Sequence, residues 1–234
     1  YSPLREINRD NVAQLEVAWT YRTGELGEGF GRADKLAFEA TPVLAFGRLY
    51  LSTPTDIVIA LDPASGRERW RHDPRVPRKQ HYAEATSRGV TTWEDPDKAR
   101  TGPCRRRVFL GTLAARLLAL DADTGRPCAG FGIGGAVALG ADARSTTPGE
   151  YLVTSPPATF EDIVIVGSAI GDNRAVELER GIVRGFDART GALRWKFDPI
   201  PDGPAPPAAS QWQPGQAQRT GGATAWAPVT VDAG

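Results

Sequence analysis

Short apolar stretches, each bounded by turn-forming residues, recur along the whole chain. Representative segments are TPVLAFGRLYLST (41–53), RRRVFLGT (105–112) and SPPATFEDIVIVGS (155–168). Such short runs between turn signals are typical of β-strands rather than helices. Glycine (26 residues) and proline (19 residues) are abundant, and both interrupt regular structure. The pattern predicts an all-β protein.

A turn motif repeats at the ends of these stretches. The pattern Asp-x-x-[Ser/Thr]-Gly-x-x-x-Trp occurs in ALDPASGRERW (60–70) and in GFDARTGALRW (185–195). A third copy, LALDADTGRPCAGF (118–131), has Ala129 at the tryptophan position, and Trp19 belongs to an isolated final strand. We expect the aspartate to cap a tight turn and the glycine to take a positive φ. The tryptophan would then pack between neighbouring sheets.

The spacing of the motif predicts a β-propeller. Asp62, Asp121 and Asp187 begin the three turns, at intervals of 59 and 66 residues, which is enough for one four-stranded antiparallel blade each. A β-sandwich of short strands is the alternative, but it does not explain the repeated turn. We assign residues 1–234 to a partial propeller domain. Its predicted parts are a closing N-terminal strand (12–24), blade units of about 38–74, 85–132 and 150–199, and the start of a fourth unit (221–234).

The third unit carries an insertion. In the first two units the turn aspartate lies nine positions after the end of the second strand (Thr53 or Thr112), whereas Asp187 lies nineteen positions after Ser168. The extra residues include Gly171, Asp172 and Asn173. A carboxylate beside an amide carbonyl offers the hard oxygen ligands that Ca²⁺ or Mg²⁺ prefers. A solvated loop with an Asx turn is the alternative.

Composition narrows the functional classes. The 234 residues include 28 basic and 28 acidic side chains, so no excess of positive charge supports nucleic-acid binding. The longest apolar runs are far shorter than the roughly 18–20 residues of a membrane helix. Because Met is absent and the sequence begins with Tyr1, it leaves room for an upstream leader or membrane anchor. His72 and His81 are isolated, and we expect no chemical role for them.

Cys104 and Cys128 are the only cysteines, and they flank a strand-turn-strand segment of the second unit. A disulfide tying the early strand to the outer strand would compensate for the missing tryptophan; two buried free thiols are the alternative. A disulfide would indicate an oxidising compartment. The absence of CxxC and CxxCH excludes a zinc ribbon and attached haem c within this segment.

Several strings carry a resemblance to a known family. They are FEATPV (38–43), SRGVTTW (87–93), PCRRRVFLGTLAARLLALDADTGRPC (103–128), the GDN of the insertion with VRGFDARTG behind it, and GGATAW (221–226). Together they resemble the quinoprotein alcohol and sugar dehydrogenases, which are eight-bladed propellers that use pyrroloquinoline quinone (PQQ). The likeness is closest to the branch of membrane-bound glucose dehydrogenase and its quinate- and polyol-oxidising relatives. It implies that the chain covers about three and a half of eight blades.

The resemblance implies a cofactor site near the propeller axis. Glu39 would hydrogen-bond the quinone, and Arg88 would pair with a PQQ carboxylate through its bidentate guanidinium. Thr154 and Thr224 would donate their hydroxyls to the cofactor carboxylates. Trp226 would lie parallel to the tricyclic ring and stack on it.

The resemblance also gives the insertion a role. Asp172 matches the metal-binding carboxylate of the family and would bind Ca²⁺ or Mg²⁺, while Asn173 would assist as a carbonyl ligand or order the loop. Ile170 and Gly171, which directly precede this pair, would contact the cofactor.

Two departures from the family matter. Ala85-Thr86-Ser87 stands where many alcohol-oxidising members carry adjacent cysteines, which argues against a strictly methanol-type enzyme. The catalytic aspartate, a further metal ligand and an arginine near the quinone oxygens would lie beyond Gly234, so we assign no catalytic residue.

The resemblance implies a periplasmic PQQ- and divalent-metal-dependent dehydrogenase that oxidises a sugar, polyol or other alcohol. Electrons would pass to a membrane ubiquinone or to cytochrome c. The remaining blades would come from the rest of the chain or from a partner segment. The alternative is a non-catalytic propeller scaffold, which would need neither the loop insertion nor the set formed by Glu39, Arg88 and Trp226.

Overall fold

The structure, a computed structural model, describes residues 4–25, 36–171, 174–201 and 211–232. Strands dominate this part of the chain, and no helix in it is long and apolar enough to cross a membrane. In chain order the strands and the one short α-helix are β1 (Leu36–Thr41), β2 (Val43–Ala45), β3 (Arg48–Ser52), β4 (Val58–Leu61), β5 (Glu68–His72), β6 (Ala85–Gly89), β7 (Thr91–Glu94), β8 (Arg106–Gly111), β9 (Arg116–Asp121), β10 (Ala136–Ala138), β11 (Tyr151–Leu152), β12 (Ala158–Phe160), β13 (Ile163–Val166), β14 (Ala169–Ile170), β15 (Val183–Asp187), β16 (Leu193–Phe197) and α1 (Gln216–Arg219).

Twelve of these strands form three antiparallel sheets of four strands. Their orders are β2-β3-β4-β5, β7-β8-β9-β10 and β12-β13-β15-β16, and we call these sheets blades 1, 2 and 3. Each blade follows the chain from strand to neighbouring strand, as antiparallel strands joined by short turns allow. The predicted all-β fold of four-stranded blades is confirmed.

The hydrophobic core lies between the blades. Because side chains alternate across a strand, neighbouring residues of β8 contribute to two different interfaces. Val108 packs in a cluster with Tyr50 of blade 1, whereas Phe109 packs in a cluster with Val164 and Phe186 of blade 3. Each blade is therefore stabilised mainly by the faces that it presents to its neighbours.

The three aspartate turns have the predicted chemistry. In blade 3, Oδ1 of Asp187 accepts hydrogen bonds from the N–H groups of Arg189 and Thr190 and from the Thr190 hydroxyl. Asp62 and Asp121 make the same contacts in their own turns. The glycines at the fifth position of the turns all take positive φ: Gly66 (+68°), Gly125 (+70°) and Gly191 (+72°).

Tryptophans join neighbouring blades at these turns. The indole of Trp70 in blade 1 lies against Gly125 of blade 2, where a Cβ atom would come within 2.5 Å of the ring. Trp19 lies against Gly66 in the same way and donates a hydrogen bond of 3.1 Å from Nε1 to Pro63 O. The predicted packing of tryptophan between sheets holds for Trp70, whereas Trp19 packs on blade 1 from a segment that forms no strand.

Blade 2 departs from the repeat where its tryptophan is missing. Pro127 makes an isolated bridge to Leu120, the chain then turns away, and the edge strand is β10, beyond the predicted unit end near 132. The Cys104–Cys128 disulfide forms, with a Cα–Cα distance of 5.7 Å, but Cys128 precedes the edge strand instead of lying on it as predicted. Gly132 takes over the contact with blade 3, where its N–H donates to Thr190 O at 2.8 Å.

Two predicted strands are not formed in the described residues. The segment 12–24 contains a 3₁₀ turn, Val12–Gln14, followed by irregular chain. A strand requires a partner ladder, and the side chains of this segment contact blade 1 without one; Tyr21, for example, donates a hydrogen bond to Glu68. In the fourth unit, residues 221–232 form only a bridge between Gly222 and Arg180.

The blades have two distinct ends. The aspartate turns join the third and fourth strands of each blade, so they share one end, the lower end. The opposite, upper end holds the segments that lead into the first strands and the connections between second and third strands. β1 and β6 pair in parallel at this end, and β11 pairs with β14.

Candidate functional site

Segments far apart in sequence meet at the upper end of the blades. Glu39 lies on β1 and Arg88 on β6, and these strands pair in parallel. The Arg88 N–H donates to Thr154 O at 2.7 Å, and the Ser155 hydroxyl donates to the carbonyl oxygen of Trp226. The lead-in segments of all four predicted units are thereby joined.

A cavity of about 530 Å³ opens where these segments meet. This volume lies within the range of roughly 300–1,000 Å³ that is typical of ligand pockets. The lining residues are His81, Ala83, Glu84, Arg88, Glu150, Leu152, Ala169, Ile170, Gly171, Arg174, Thr224 and Trp226. Five residues predicted to bind the cofactor are among them, and Glu39 and Thr154 join the site through Arg88.

Arg88 is the centre of the polar contacts in this cavity. Its Nη1 donates to Thr154 Oγ1 at 2.6 Å, while its Nη2 lies 3.0 Å from Glu39 Oε2 and 2.6 Å from Glu84 Oε1. Thr154 is buried. Because a guanidinium can only donate, the Thr154 hydroxyl accepts from Arg88 and keeps its own proton as a donor. The guanidinium is thus fixed by three side chains before any ligand binds.

Trp226 covers one side of this arginine. The guanidinium carbon of Arg88 lies 5.1 Å from the centroid of the indole ring, a distance at which cation–π attraction operates. The side chain is 51% exposed, so a large part of the indole surface is open. An exposed aromatic ring beside a held guanidinium is suited to a flat, anionic ligand.

The insertion of blade 3 forms the opposite wall. The N–H of Gly171 donates to Glu150 O at 2.8 Å, which extends the β11–β14 pairing by one residue. A Cβ atom on Gly171 would lie 1.7 Å from Glu150 Oε2, so a larger residue at this position would force the carboxylate of Glu150 to move. Arg174, on the far side of the insertion, forms an ion pair of 3.0 Å with the same oxygen.

The two residues predicted to bind metal, Asp172 and Asn173, lie outside the described residues. Within the described ranges, no group of three or more His, Cys, Asp and Glu side chains is arranged to hold a metal ion. Two of the carboxylates that surround the cavity, Glu39 and Glu84, share one guanidinium, that of Arg88. On the opposite wall Glu150 and Glu179 share that of Arg174.

These four carboxylates thus share two guanidinium groups, and the excess of negative charge favours a bound cation. In addition, Glu150 Oε2 is buried and accepts no hydrogen bond from the described residues, because Nε of Arg174 donates to Gly171 O instead. A buried carboxylate oxygen without a donor needs positive charge nearby; here the single guanidinium of Arg174 serves both Glu150 and Glu179, which leaves this wall with a net negative charge. The chemistry of the donor set therefore fits a divalent cation bound beside Gly171.

Sequence reasoning missed four residues of the site. Glu84 precedes Arg88 by four positions, a spacing that carries no signal in a strand, and Glu150 and Arg174 become neighbours only through the β11–β14 pairing. His81, for which we expect no chemical role, lies at the rim with its Nε2 3.9 Å from Glu150 Oε1. None of the four belongs to a local motif.

Comparison with known proteins identifies the family. The family model described as PQQ: Glucose/ethanol/alcohol dehydrogenase, beta-propeller domain, matches residues 1–234. The quinoprotein glucose dehydrogenase of Escherichia coli (strain K12) is 36% identical over 205 residues, which cover 85% of this chain and 25% of that protein. The quinoprotein glucose dehydrogenase A of Acinetobacter calcoaceticus is 34% identical and covers 100% of this chain and 30% of that protein.

This chain belongs to the PQQ-dependent quinoprotein dehydrogenase family.

A solved structure agrees with this membership. The quinohemoprotein alcohol dehydrogenase from Comamonas testosteroni matches with a TM-score of 0.78 and 28% identity, over 100% of this chain and 32% of that chain. The predicted β-propeller architecture is confirmed by this likeness. The chain spans between a quarter and a third of the length of these quinoprotein relatives.

Proposed function

We propose that the protein is a PQQ- and divalent-metal-dependent dehydrogenase that oxidises a sugar, polyol or other alcohol. Family membership supports the reaction class, and the names of the relatives support these substrates. The observation that carries the proposal is the Arg88 cluster, in which one guanidinium contacts Glu39, Thr154 and the half-exposed indole of Trp226. No feature of the described residues favours the scaffold alternative.

The cavity residues would bind and orient the cofactor. Arg88 would pair with a PQQ carboxylate, because its planar fork of donors matches a carboxylate. The hydroxyls of Thr154 and Thr224 would donate to the remaining carboxylate oxygens. Trp226 would stack on the tricyclic ring with its exposed face, and Glu39 would hydrogen-bond the quinone.

The insertion would hold the cation. Asp172 and Asn173 would supply oxygen ligands for Ca²⁺ or Mg²⁺, and Ile170 and Gly171 would contact the cofactor beside them. When both groups are bound, they would supply a quinone that accepts the substrate's hydride and a Lewis acid that polarises that quinone. Glu39 and Glu84 would keep the Arg88 guanidinium oriented while substrate enters and leaves.

The remaining assignments concern the whole enzyme. Electrons would pass to a membrane ubiquinone or to cytochrome c, and the protein would work in the periplasm, where the Cys104–Cys128 disulfide is stable. The other blades of the ring would complete the cavity and provide the catalytic base.

PQQ binding to the full-length protein tests the proposal. We expect PQQ with Ca²⁺ to quench tryptophan fluorescence and to support dye-linked oxidation of members of a sugar and alcohol panel. Arg88→Gln removes charge-assisted hydrogen bonds, each of which contributes about 1.5–3 kcal/mol, and should weaken PQQ binding by at least tenfold. Arg194→Gln, which removes an equal charge at the lower end, is the matched control. Absence of PQQ binding would favour the scaffold alternative.

A further inference from the structure

Glu84 is the carboxylate that the cavity leaves open. Among the described residues two glutamates line the cavity, Glu84 and Glu150. The side chain of Glu150 is 9% exposed, whereas that of Glu84 is 41% exposed. Oε1 of Glu84 accepts a hydrogen bond of 2.6 Å from Nη2 of Arg88, and no other side chain in the described part of the chain donates to it. Its second oxygen, Oε2, is therefore available to a ligand in the cavity.

Hydrogen bonds hold the wall that carries Glu84. Ala83 and Glu84 line the cavity from the segment that leads into β6. The N–H of Ala83 donates to Gly149 O at 2.9 Å, and the hydroxyl of the buried Tyr82 donates to Pro77 O at 3.0 Å. β6 begins at the residue after Glu84 and pairs with β1. The backbone is thus fixed on both sides of Glu84, and a fixed backbone limits where the carboxylate can lie.

The negative charge of Glu84 is only partly neutralised. Nη2 of Arg88 lies 3.0 Å from Glu39 Oε2 and 2.6 Å from Glu84 Oε1, so two carboxylates share one guanidinium. The proposed function adds a third, because a cofactor carboxylate would pair with the same arginine. His81 precedes Glu84 by three residues, but its Nε2 lies 3.9 Å from Oε1 of Glu150. A ligand that meets Glu84 therefore meets an excess of negative charge.

We infer that Glu84 determines substrate specificity: its open oxygen accepts hydrogen bonds from substrate hydroxyls, and its charge excludes substrates that carry a carboxylate. A carboxylate only accepts hydrogen bonds, and the bonds that it accepts from hydroxyls are charge-assisted. A carboxylate on the substrate cannot donate and is repelled. The substrate class is therefore a neutral sugar or polyol. The inference rests on the proposed function, because it places the substrate beside a cofactor held by Arg88 and Trp226.

A purely orienting role for Glu84 makes a different prediction. If Glu84 does no more than hold the Arg88 guanidinium, Glu84→Gln lowers the kcat/KM of neutral and anionic substrates alike. If Glu84 meets the substrate, the two classes change in opposite directions. The neutral substrate loses a charge-assisted hydrogen bond, and the anionic substrate loses a repulsion. The ratio of the two kcat/KM values therefore separates the two roles.

Dye-linked oxidation by the full-length protein, saturated with PQQ and Ca²⁺, measures this ratio. The probes are glucose with glucuronate and glycerol with glycerate, because the members of each pair differ only in a carboxylate that replaces a CH₂OH group. We expect wild type to favour the neutral member by at least about tenfold, as repulsion between two partly exposed charges predicts. Glu84→Gln should lower kcat/KM for the neutral member about fivefold, raise it for the anionic member, and reduce the ratio at least about tenfold.

Two further variants and one binding measurement accompany this assay. Glu84→Asp keeps the charge and should keep the ratio to within about threefold. Glu161→Gln is the matched control, because it removes an equal charge from an exposed side chain in the β12–β13 turn at the lower end; it should change neither kcat/KM value. Without an electron acceptor, glucuronate or glycerate should raise the thermal midpoint of the PQQ-loaded protein more in Glu84→Gln than in wild type.

The outcomes separate failure of this inference from failure of the proposed function. If wild type oxidises neither glucose nor glycerol, the proposed function fails for these substrates and the inference falls with it. If wild type oxidises one of them and Glu84→Gln leaves the ratio unchanged, the proposed function stands and the specificity role of Glu84 is overturned. Loss of the ratio in Glu84→Asp as well as in Glu84→Gln would also overturn it, because the charge would then not be the cause.

Discussion

Replacing Gly125 by alanine tests whether the tryptophan contacts hold neighbouring blades together. Gly125 lies in the turn of blade 2 at φ +70°, and a Cβ atom there would lie 2.5 Å from Cε3 of Trp70 in blade 1. Gly47 has the same φ of +70° in the β2–β3 turn, but no described atom lies within 4 Å of its Cβ position. The two substitutions share the backbone cost and differ in the contact with the indole.

The structure gives the size of the difference. Placing alanine at a positive φ costs about 1–2 kcal/mol, and Gly47→Ala should lower the free energy of unfolding by about this amount. At position 125 the indole must also move, which costs about 1–3 kcal/mol in a packed region. The movement weakens the hydrogen bond of 3.0 Å from Trp70 Nε1 to Ala122 O, which contributes about 0.5–1.5 kcal/mol. Gly125→Ala should therefore cost about 1.5–4.5 kcal/mol more than Gly47→Ala.

Urea unfolding of the full-length protein, followed by circular dichroism, measures both costs. In a Trp70→Ala background the extra cost of Gly125→Ala should disappear, because the atom that it meets is gone; this double-mutant cycle isolates the pairwise term. Equal shifts of the urea midpoint for Gly47→Ala and Gly125→Ala in the wild-type background would refute the reasoning.

Three further predictions concern the site, the disulfide and acid stability. Arg88→Lys keeps the charge but loses the planar fork, so PQQ affinity measured by fluorescence quenching should fall at least tenfold; unchanged affinity would contradict the role of the guanidinium. Replacing Cys104 and Cys128 by alanine should lower the free energy of unfolding by roughly 3 kcal/mol in the chain-entropy model, and identical urea midpoints would contradict this. Burial raises the pKa of Asp187, but Arg194 at 2.6 Å and the bonds from its own turn outweigh burial and lower it to about 2. The stability that the ionised Asp187 carboxylate contributes is complete above about pH 4 and is lost as pH falls towards 2. Arg194→Gln should therefore raise the pH at which the protein unfolds in acid. An unshifted acid transition would count against a stabilising Asp187–Arg194 ion pair.

The repeat made the blades predictable because its signals are local. The turn aspartates bond to groups two and three residues ahead, and the following glycine needs a positive φ, so sequence alone carries both requirements. Blade 2 shows the limit of this reasoning. Once Ala129 replaces the tryptophan, the chain makes a further turn through Gly132, and the edge strand β10 has only three residues. Such a short strand has no pattern of its own.

The candidate site could be predicted only for those residues whose roles are implied by the resemblance to a known family. Arg88, Thr224 and Trp226 have no distinguishing local pattern, and their meeting depends on pairings between segments tens of residues apart. Glu84 and Glu150 are examples of the site residues that were not predicted. They have no distinguishing pattern in the sequence, and only the upper-end pairings place their carboxylates in the cavity. Tertiary packing determines these contacts, and the spacing of residues along a single strand does not predict it.

The two ends of the blades differ in where their polar groups find partners, and this difference accounts for the position of the site. At the lower end the turn aspartates bond within their own turns, so the turn motif can recur, even though Ala122 O and Thr190 O also accept hydrogen bonds from neighbouring blades. At the upper end the partners come from the next blade: Oδ2 of the buried Asp56 accepts the Leu113 N–H at 2.7 Å, and the Val153 N–H donates to Thr112 O at 3.0 Å.

These cross-blade bonds hold the upper ends of neighbouring blades together, and they do not depend on the repeated aspartate turn. Burial raises the pKa of Asp56 well above its usual range, so the link that it forms to blade 2 depends on the closed packing around it. A rigid frame of this kind tolerates an added loop and positions its side chains, which is how binding residues are commonly carried. The insertion of blade 3 therefore lies at the one end where extra residues can gain a function without disturbing the turns that define the fold.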